Sequence, residues 1–92
     1  MVQKRYKITV SGRVQGVGYR QSSIKKANEY KLSGFVQNLP SGDVLIEAQG
    51  NDEKLNSFIR WCYDGPSWAR VTNVEVLEQQ PVKDDLGFRV IF

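Results

Sequence analysis

The sequence predicts an α+β sandwich: a mainly antiparallel sheet with two helices on one face and an extra C-terminal strand. Three observations predict it. The N-terminal segment alternates apolar and polar residues, two later stretches carry helical spacing, and the segments run strand, helix, strand, strand, helix, strand, strand. A chain of 92 residues is expected to form one domain, residues 1–92, large enough to bury a core.

The elements follow in chain order. From Arg5 to Arg13, Tyr6, Ile8 and Val10 alternate with Lys7, Thr9 and Ser11, as in a strand with one buried face. The residues before it, Met1 to Lys4, lead into this strand and lack the apolar core of a signal peptide. Val14 to Tyr19 is glycine-rich and does not continue the strand. A helix is expected from about Gln21 to Leu32, with Ile24, Ala27 and Leu32 near one face and Ser33-Gly34 as its stop. Gly34–Asn38 and Asp43–Ala48 read as two strands joined by Leu39-Pro40-Ser41-Gly42, a turn by its proline and glycine. Asn51 to Tyr63 is the clearest helix: Leu55, Phe58, Ile59 and Cys62 fall at i, i+3, i+4 and i+7, and Asn51 or Asp52 can cap it. Gly65-Pro66 ends it. In the next strand, Arg70 to Leu77, Val71 and Leu77 lie on one parity and Val74 and Val76 on the other, which implies a bulge or burial on both faces. Gly87 to Phe92 closes the chain as a strand. This order is the ferredoxin-like split βαβ plan, a fold that hosts many functions and decides none.

Composition narrows the chemistry. The chain has no histidine, which removes Ser-His-Asp and Cys-His nucleophilic sites and imidazole acid–base catalysis. Its one cysteine, Cys62, has no partner for an internal disulfide and makes no zinc site alone. On the apolar stripe of a helix it reads as a buried structural thiol. A tyrosine-phosphatase loop needs Cys-x5-Arg, and the residue six after Cys62 is Trp68. The formal charge of +3 suits an anionic ligand without demonstrating nucleic-acid binding. No apolar run approaches the roughly 20 residues that span a bilayer, and a cytoplasmic location is the default expectation.

The informative stretch is Gly12-Arg13-Val14-Gln15-Gly16-Val17-Gly18-Tyr19-Arg20, which leaves a strand and enters a helix. An anion at such a junction meets backbone N–H groups and the positive end of the helix dipole. Gly16 and Gly18 are the residues most able to take positive φ and turn successive N–H groups inward as a nest. Arg20 adds a forked cation suited to phosphate oxygens. The pattern is not a P-loop, since no Gly-Lys-Ser/Thr follows, and it lacks the third glycine of a dinucleotide fingerprint. On physical grounds alone, a plain glycine-rich connection with a solvated arginine fits about equally well.

That nine-residue stretch resembles the signature of the acylphosphatase family. A second block, Gly34-Phe35-Val36-Gln37-Asn38 followed by Gly42-Asp43-Val44 and later Gly50, resembles the family's other signature, and Gly65-Pro66 with Ala69-Arg70-Val71 also fits. The resemblance covers nearly the whole chain. It implies that the backbone amides of Gln15, Gly16, Val17, Gly18 and Tyr19, together with Arg20, bind phosphate, and that Asn38 positions the attacking water. The implied substrate is a small acyl phosphate, with inorganic phosphate as product and competitor. No cofactor, metal, nucleic acid or membrane partner is implied, and a free-standing monomer is expected rather than a domain of a larger carbamoyl-transfer enzyme. Two positions depart from the commonest family pattern. Tyr19 stands where phenylalanine is more usual, and Gln49 replaces a frequent acidic residue before Gly50.

The remaining polar and aromatic residues have ordinary readings. Asp84-Asp85 is expected as a solvated turn, Trp61 and Trp68 as core or edge packing, and Lys25-Lys26, Asn28 and Asn56 as exposed helix positions. The alternative from another class is a ferredoxin-like RNA- or anion-binding module without catalysis. Tyr6 and Phe35 are its candidate stacking residues, but the Lys/Arg-Gly-Phe/Tyr-Gly/Ala-Phe pattern of RNA-binding sheets is missing.

Overall fold

Ile8 and Val10 are fully buried while their alternating neighbours Lys7 and Thr9 remain partly exposed, so the alternation in the first strand is that of a sheet with one covered face. The computed structural model describes residues 3–92; Met1 and Val2, expected to lead into this strand, lie outside the described residues. The elements are β1 (Gln3–Arg13), α1 (Tyr19–Glu29), β2 (Ser33–Asn38), β3 (Val44–Asn51), α2 (Asp52–Asp64), β4 (Arg70–Gln79) and β5 (Phe88–Ile91). The sheet order is β4-β1-β3-β2-β5. Only the β2–β5 pairing is parallel. Since β1 and β2 both run opposite to β3, they run parallel to each other. Their C-terminal ends, with that of β5, therefore gather at one end of the sheet. This is the ferredoxin-like α+β fold.

Between the sheet and the helices lie Ile8, Val10, Val36, Val44 and Ile46 from the strands and Tyr19, Ala27, Leu55, Phe58 and Cys62 from the helices. Removing a buried aromatic such as Phe58 from a core of this kind costs about 3–5 kcal/mol. Phe58 lies 6.0 Å from Trp61 and 6.1 Å from Phe88 between ring centroids, and Trp61 lies 5.3 Å from Tyr19. These rings tie the start of α1 to α2 and β5. Trp68, by contrast, is 79% exposed, so of the core or edge packing expected of it the core is ruled out. Of the two capping candidates, Asn51 is the one used: its side chain accepts from Glu53 N at 2.9 Å and Lys54 N at 3.3 Å.

The first helix departs from expectation, and β4 settles an alternative the sequence left open. The first helix begins at Tyr19, two residues earlier than its apolar spacing suggests, and ends at Glu29, three residues earlier. Its stop is Lys31, in left-handed conformation at φ 56°, and not Ser33-Gly34. Lys31 N donates to Asn28 O and Leu32 N to Ala27 O, the paired bonds of a Schellman turn. Leu32 is buried just after that turn, so it joins the core without being helical. In β4 the two valine parities are reconciled by a bulge. The register with β1 shifts between Ser11 and Gly12, so Val71 pairs with Gly12 and Asn73 with Ser11, leaving Thr72 unpaired. Val71, Val74 and Val76 then share the covered face, and Leu77 faces out at 48% exposure. Gly12 permits this: a Cβ there would collide with the carbonyl of Arg70.

Residues 80–87 join β4 to β5 at opposite edges of the sheet, so they cross it as a strap. Gln49 accepts from Val82 N at 2.7 Å and donates to Val82 O at 2.9 Å. A carboxylate at this position accepts the first bond but has no hydrogen for the second, which gives the departure at Gln49 a physical meaning. Asp85 is not the solvated turn residue expected. Its side chain is 7% exposed and pairs with Arg5 at 2.8 Å and Arg89 at 3.3 Å. Arg5, itself 4% exposed, also pairs with Glu47 at 2.9 Å. Arg5 and Gln49 alternate with the covered residues Tyr6 and Ala48, so the strap lies over the face away from the helices.

Candidate active site

Three strand ends and one helix start form a cavity of about 130 Å³. Its lining comprises Val14, Gly16, Gly18, Tyr19, Arg20 and Gln21 from the loop and first turn of α1, Asn38 from the end of β2, and Val90 and Phe92 from the last strand and its end. The loop is anchored on both sides by buried residues, Val14 before it and Tyr19 after it. Between them Gly16 has φ 74° and Gly18 φ 83°, the left-handed conformations expected of a nest. A Cβ at either glycine would meet nothing within 4 Å, so the requirement is for backbone conformation and not for space.

Gly18 is also the N-cap of α1. No side chain caps this helix, and no acidic residue stands in its first turn. The N-terminal end of the dipole is thus uncompensated where it meets the cavity. Tyr19 supplies the rigidity. Its hydroxyl donates to the Cys62 carbonyl at 2.7 Å, satisfying an acceptor in the last turn of α2 that has no partner further along the helix. The extra hydroxyl, relative to the more usual phenylalanine, has therefore found a buried partner. Burial drives the Tyr19 phenol well above its ordinary pKa and pushes the Cys62 thiol up to about 12. Both stay protonated at neutral pH, so Cys62 offers no thiolate nucleophile.

Arg20 follows Tyr19 directly. Among the described residues it makes no ion pair, and no carboxylate lines the cavity with it. Its guanidinium carbon lies 5.8 Å from the centroid of the Phe92 ring, a cation–π distance. Asn38, across the cavity, is the last residue of β2 and shares the covered face with Val36. Its Oδ1 is buried and has no hydrogen-bond partner among the described residues. A buried acceptor without a partner costs about 1–3 kcal/mol, so such atoms concentrate where a ligand or water completes them.

A family model for acylphosphatase matches residues 6–90 of the chain. The chain belongs to the acylphosphatase family. It is 43% identical over 88 residues to the acylphosphatase of Methylococcus capsulatus, with 96% of each chain covered. Among solved structures, the acylphosphatase of Bacillus subtilis superposes with a TM-score of 0.93 at 35% identity, covering 97% of this chain and 99% of that one. The same fold also occurs inside a larger protein: full-length HypF matches 99% of this chain with 12% of its own length, at 32% identity and a TM-score of 0.91.

Of the residues that the acylphosphatase signatures single out, Gly16, Gly18, Tyr19, Arg20 and Asn38 line this one cavity, whereas Gln15 and Val17 do not. Gln15 instead turns its side chain to the β2–β3 turn, donating from Nε2 to Leu39 O at 2.9 Å and Asp43 O at 2.8 Å. Val14 lies in the first signature without an implied role, and Gln21, Val90 and Phe92 lie outside both signatures. The sequence held one clue: Phe92 continues the inward parity of Phe88 and Val90. Only the parallel β2–β5 pairing brings that strand's end beside Asn38. Among the described residues no helix is long and apolar enough to cross a membrane, and no group of three or more acidic or cysteine side chains forms a metal cluster.

Proposed function

We propose that this chain hydrolyses the carboxyl–phosphate anhydride of an acyl phosphate, with Arg20 and the loop amides as phosphate cradle and Asn38 as the handle for water. One observation carries the reading: the orphaned Oδ1 of Asn38 sits in the same cavity as an unpaired arginine and an uncapped helix start. The relatives' shared name supports the reaction class. We infer also that residues 1–92 act as one unit, since the family model spans nearly all of it.

The phosphoryl oxygens lie against the N–H groups of Gln15, Gly16, Val17, Gly18 and Tyr19 and against the Arg20 guanidinium. A water molecule donates one hydrogen to Asn38 Oδ1, which points its lone pair at phosphorus, in line with the leaving oxygen. The new P–O bond forms as the bond to the acyl oxygen breaks. The bonding pair leaves with the carboxylate, and the water's proton passes to a phosphate oxygen or to solvent. The leaving carboxylate has a conjugate acid of pKa about 4–5, so it departs unprotonated at neutral pH. A chain without histidine therefore lacks nothing that this step requires.

The test is hydrolysis of benzoyl phosphate without added metal, with inorganic phosphate as competitor. The wild type is expected to turn over and to be inhibited by phosphate. Asn38→Ala is expected to lose about 100- to 1000-fold in turnover, the scale for one preorganised polar group, while still binding phosphate by calorimetry. A folded Asn38→Ala protein with wild-type turnover would remove Asn38 from the mechanism. The RNA-binding alternative gains nothing from the sheet. Tyr6 pairs with Ala48 and Phe35 with Glu47, so the two rings lie on opposite faces and make no common platform.

A further inference from the structure

The side chain of Gln15 is used twice, and neither bond belongs to the cradle. Its Nε2 donates to the carbonyls of Leu39 and Asp43, at 2.9 and 2.8 Å. Both carbonyls already have partners inside the turn: Leu39 N donates to Asp43 O at 2.9 Å, and Gly42 N to Leu39 O at 3.1 Å. The turn is therefore closed without Gln15, and removing the amide leaves neither carbonyl orphaned. What the amide adds is a connection between segments 24 and 28 residues apart in the chain. One of these is the phosphate loop. The other begins at Leu39, the residue bonded to Asn38.

We propose that Gln15 is a positioning residue whose side chain sets the distance between the phosphate cradle and Asn38. This rests on the reading of Asn38 as the handle for water. The cradle rides on the start of α1, and Asn38 rides on the end of β2. In-line attack requires the two to be in register, and a misplacement of about 1 Å can cost about 100-fold in rate. Gln15 bolts the segments together beside the reacting atoms. The residue type follows from the two acceptors. Glutamate lacks the donor hydrogens, and asparagine is one methylene shorter, whereas the glutamine amide offers two hydrogens from one nitrogen.

The experiment measures kcat and the inhibition constant for inorganic phosphate in Gln15→Met, which keeps the length but removes the donors. It is repeated in an Asn38→Ala background. The expected result is a tenfold or greater fall in kcat, phosphate inhibition within about twofold of wild type, and no further fall when Asn38 is already alanine. Wild-type kcat in Gln15→Met, or an equal fall in both backgrounds, overturns the inference. A Gln15→Glu variant carries the test should Gln15→Met fail to fold. The carboxylate repels both carbonyls, but its protonated form donates to one. Its kcat relative to wild type is thus expected to rise as pH falls towards the glutamate range, near about pH 4–5; a flat ratio overturns the inference. The two readings fail differently. Wild-type turnover in Asn38→Ala alone sinks the role of Asn38, whereas a slow Asn38→Ala beside a fully active Gln15→Met sinks only the role of Gln15.

Discussion

Arg5 and Arg20 lie at opposite ends of one sheet, and their surroundings differ in kind. Arg5, near the start of β1, is 4% exposed and is matched by Glu47, Asp85 and the Gln49 side-chain oxygen Oε1. Arg20, beside the C-terminal ends of β1, β2 and β5, has no ion pair among the described residues and faces a cavity with an unpartnered Asn38 oxygen. One end pairs its charges within the protein, and the strap is held down as a result. The other leaves a cation, a helix dipole and a polar acceptor uncompensated. The same residue type is thus matched within the protein at one end and left open to a cavity at the other.

Exchanging the treatment of the two arginines tests this contrast most severely. Arg20→Ala is expected to abolish phosphate binding and acyl-phosphate turnover while changing unfolding stability by no more than about 0.5 kcal/mol. Arg5→Met is expected to cost roughly 3 kcal/mol, since Glu47 loses its cation and the buried Asp85 keeps only the exposed Arg89. The folded fraction of that variant keeps its kcat. Urea unfolding and benzoyl phosphate hydrolysis on both proteins decide the matter. Equal stability losses, or a catalytic loss in Arg5→Met, would break the division between the two ends.

A smaller effect is expected at the hinge between stability and site. Tyr19→Phe removes the bond to the Cys62 carbonyl and leaves a buried acceptor unpaired, at about 1–2 kcal/mol by thermal or urea unfolding. Because Gly16, Gly18 and Arg20 are unaltered, phosphate affinity should change less than twofold. A large loss of affinity would show that the cradle depends on this anchor.

The smallest expected effect concerns pH at the strap. The hydrogen bond from Arg5 holds the Asp85 carboxyl below the usual aspartate range. A depressed folded-state pKa contributes stability that is present above the unfolded value, about 3.9, and is lost as pH falls through the folded value. Wild type is therefore expected to be more stable than Asp85→Asn at pH 7, with the difference shrinking below about pH 4. A difference constant from pH 7 to pH 2 would mean that the carboxylate charge does not hold the strap.

Local patterns were legible wherever one residue's neighbours in sequence are also its neighbours in space. The alternation of Tyr6, Ile8 and Val10, the stripe of Leu55, Phe58 and Cys62, and the cap at Asn51 all depend on a few consecutive residues. The two family motifs likewise marked Arg20 and Asn38 separately. What was not legible required long-range information. Lys31 takes a conformation more typical of glycine because the Schellman bonds and the burial of Leu32 hold it there. Thr72 becomes a bulge only against Gly12. Asp85 looks like a turn residue until Arg5, eighty positions away, is placed beside it.

By itself the sequence determined the strand and helix periods, the glycine loop able to turn its amides inward, and a chemistry without imidazole. These follow from covalent geometry, side-chain type and spacing. Tertiary structure alone decided that β1, β2 and β5 end together, which brings Arg20, Asn38 and Phe92 to one cavity. It also decided which arginine would be matched and which left open. The physical reason is that pairing depends on sheet order and register, and these arise from packing between segments dozens of residues apart.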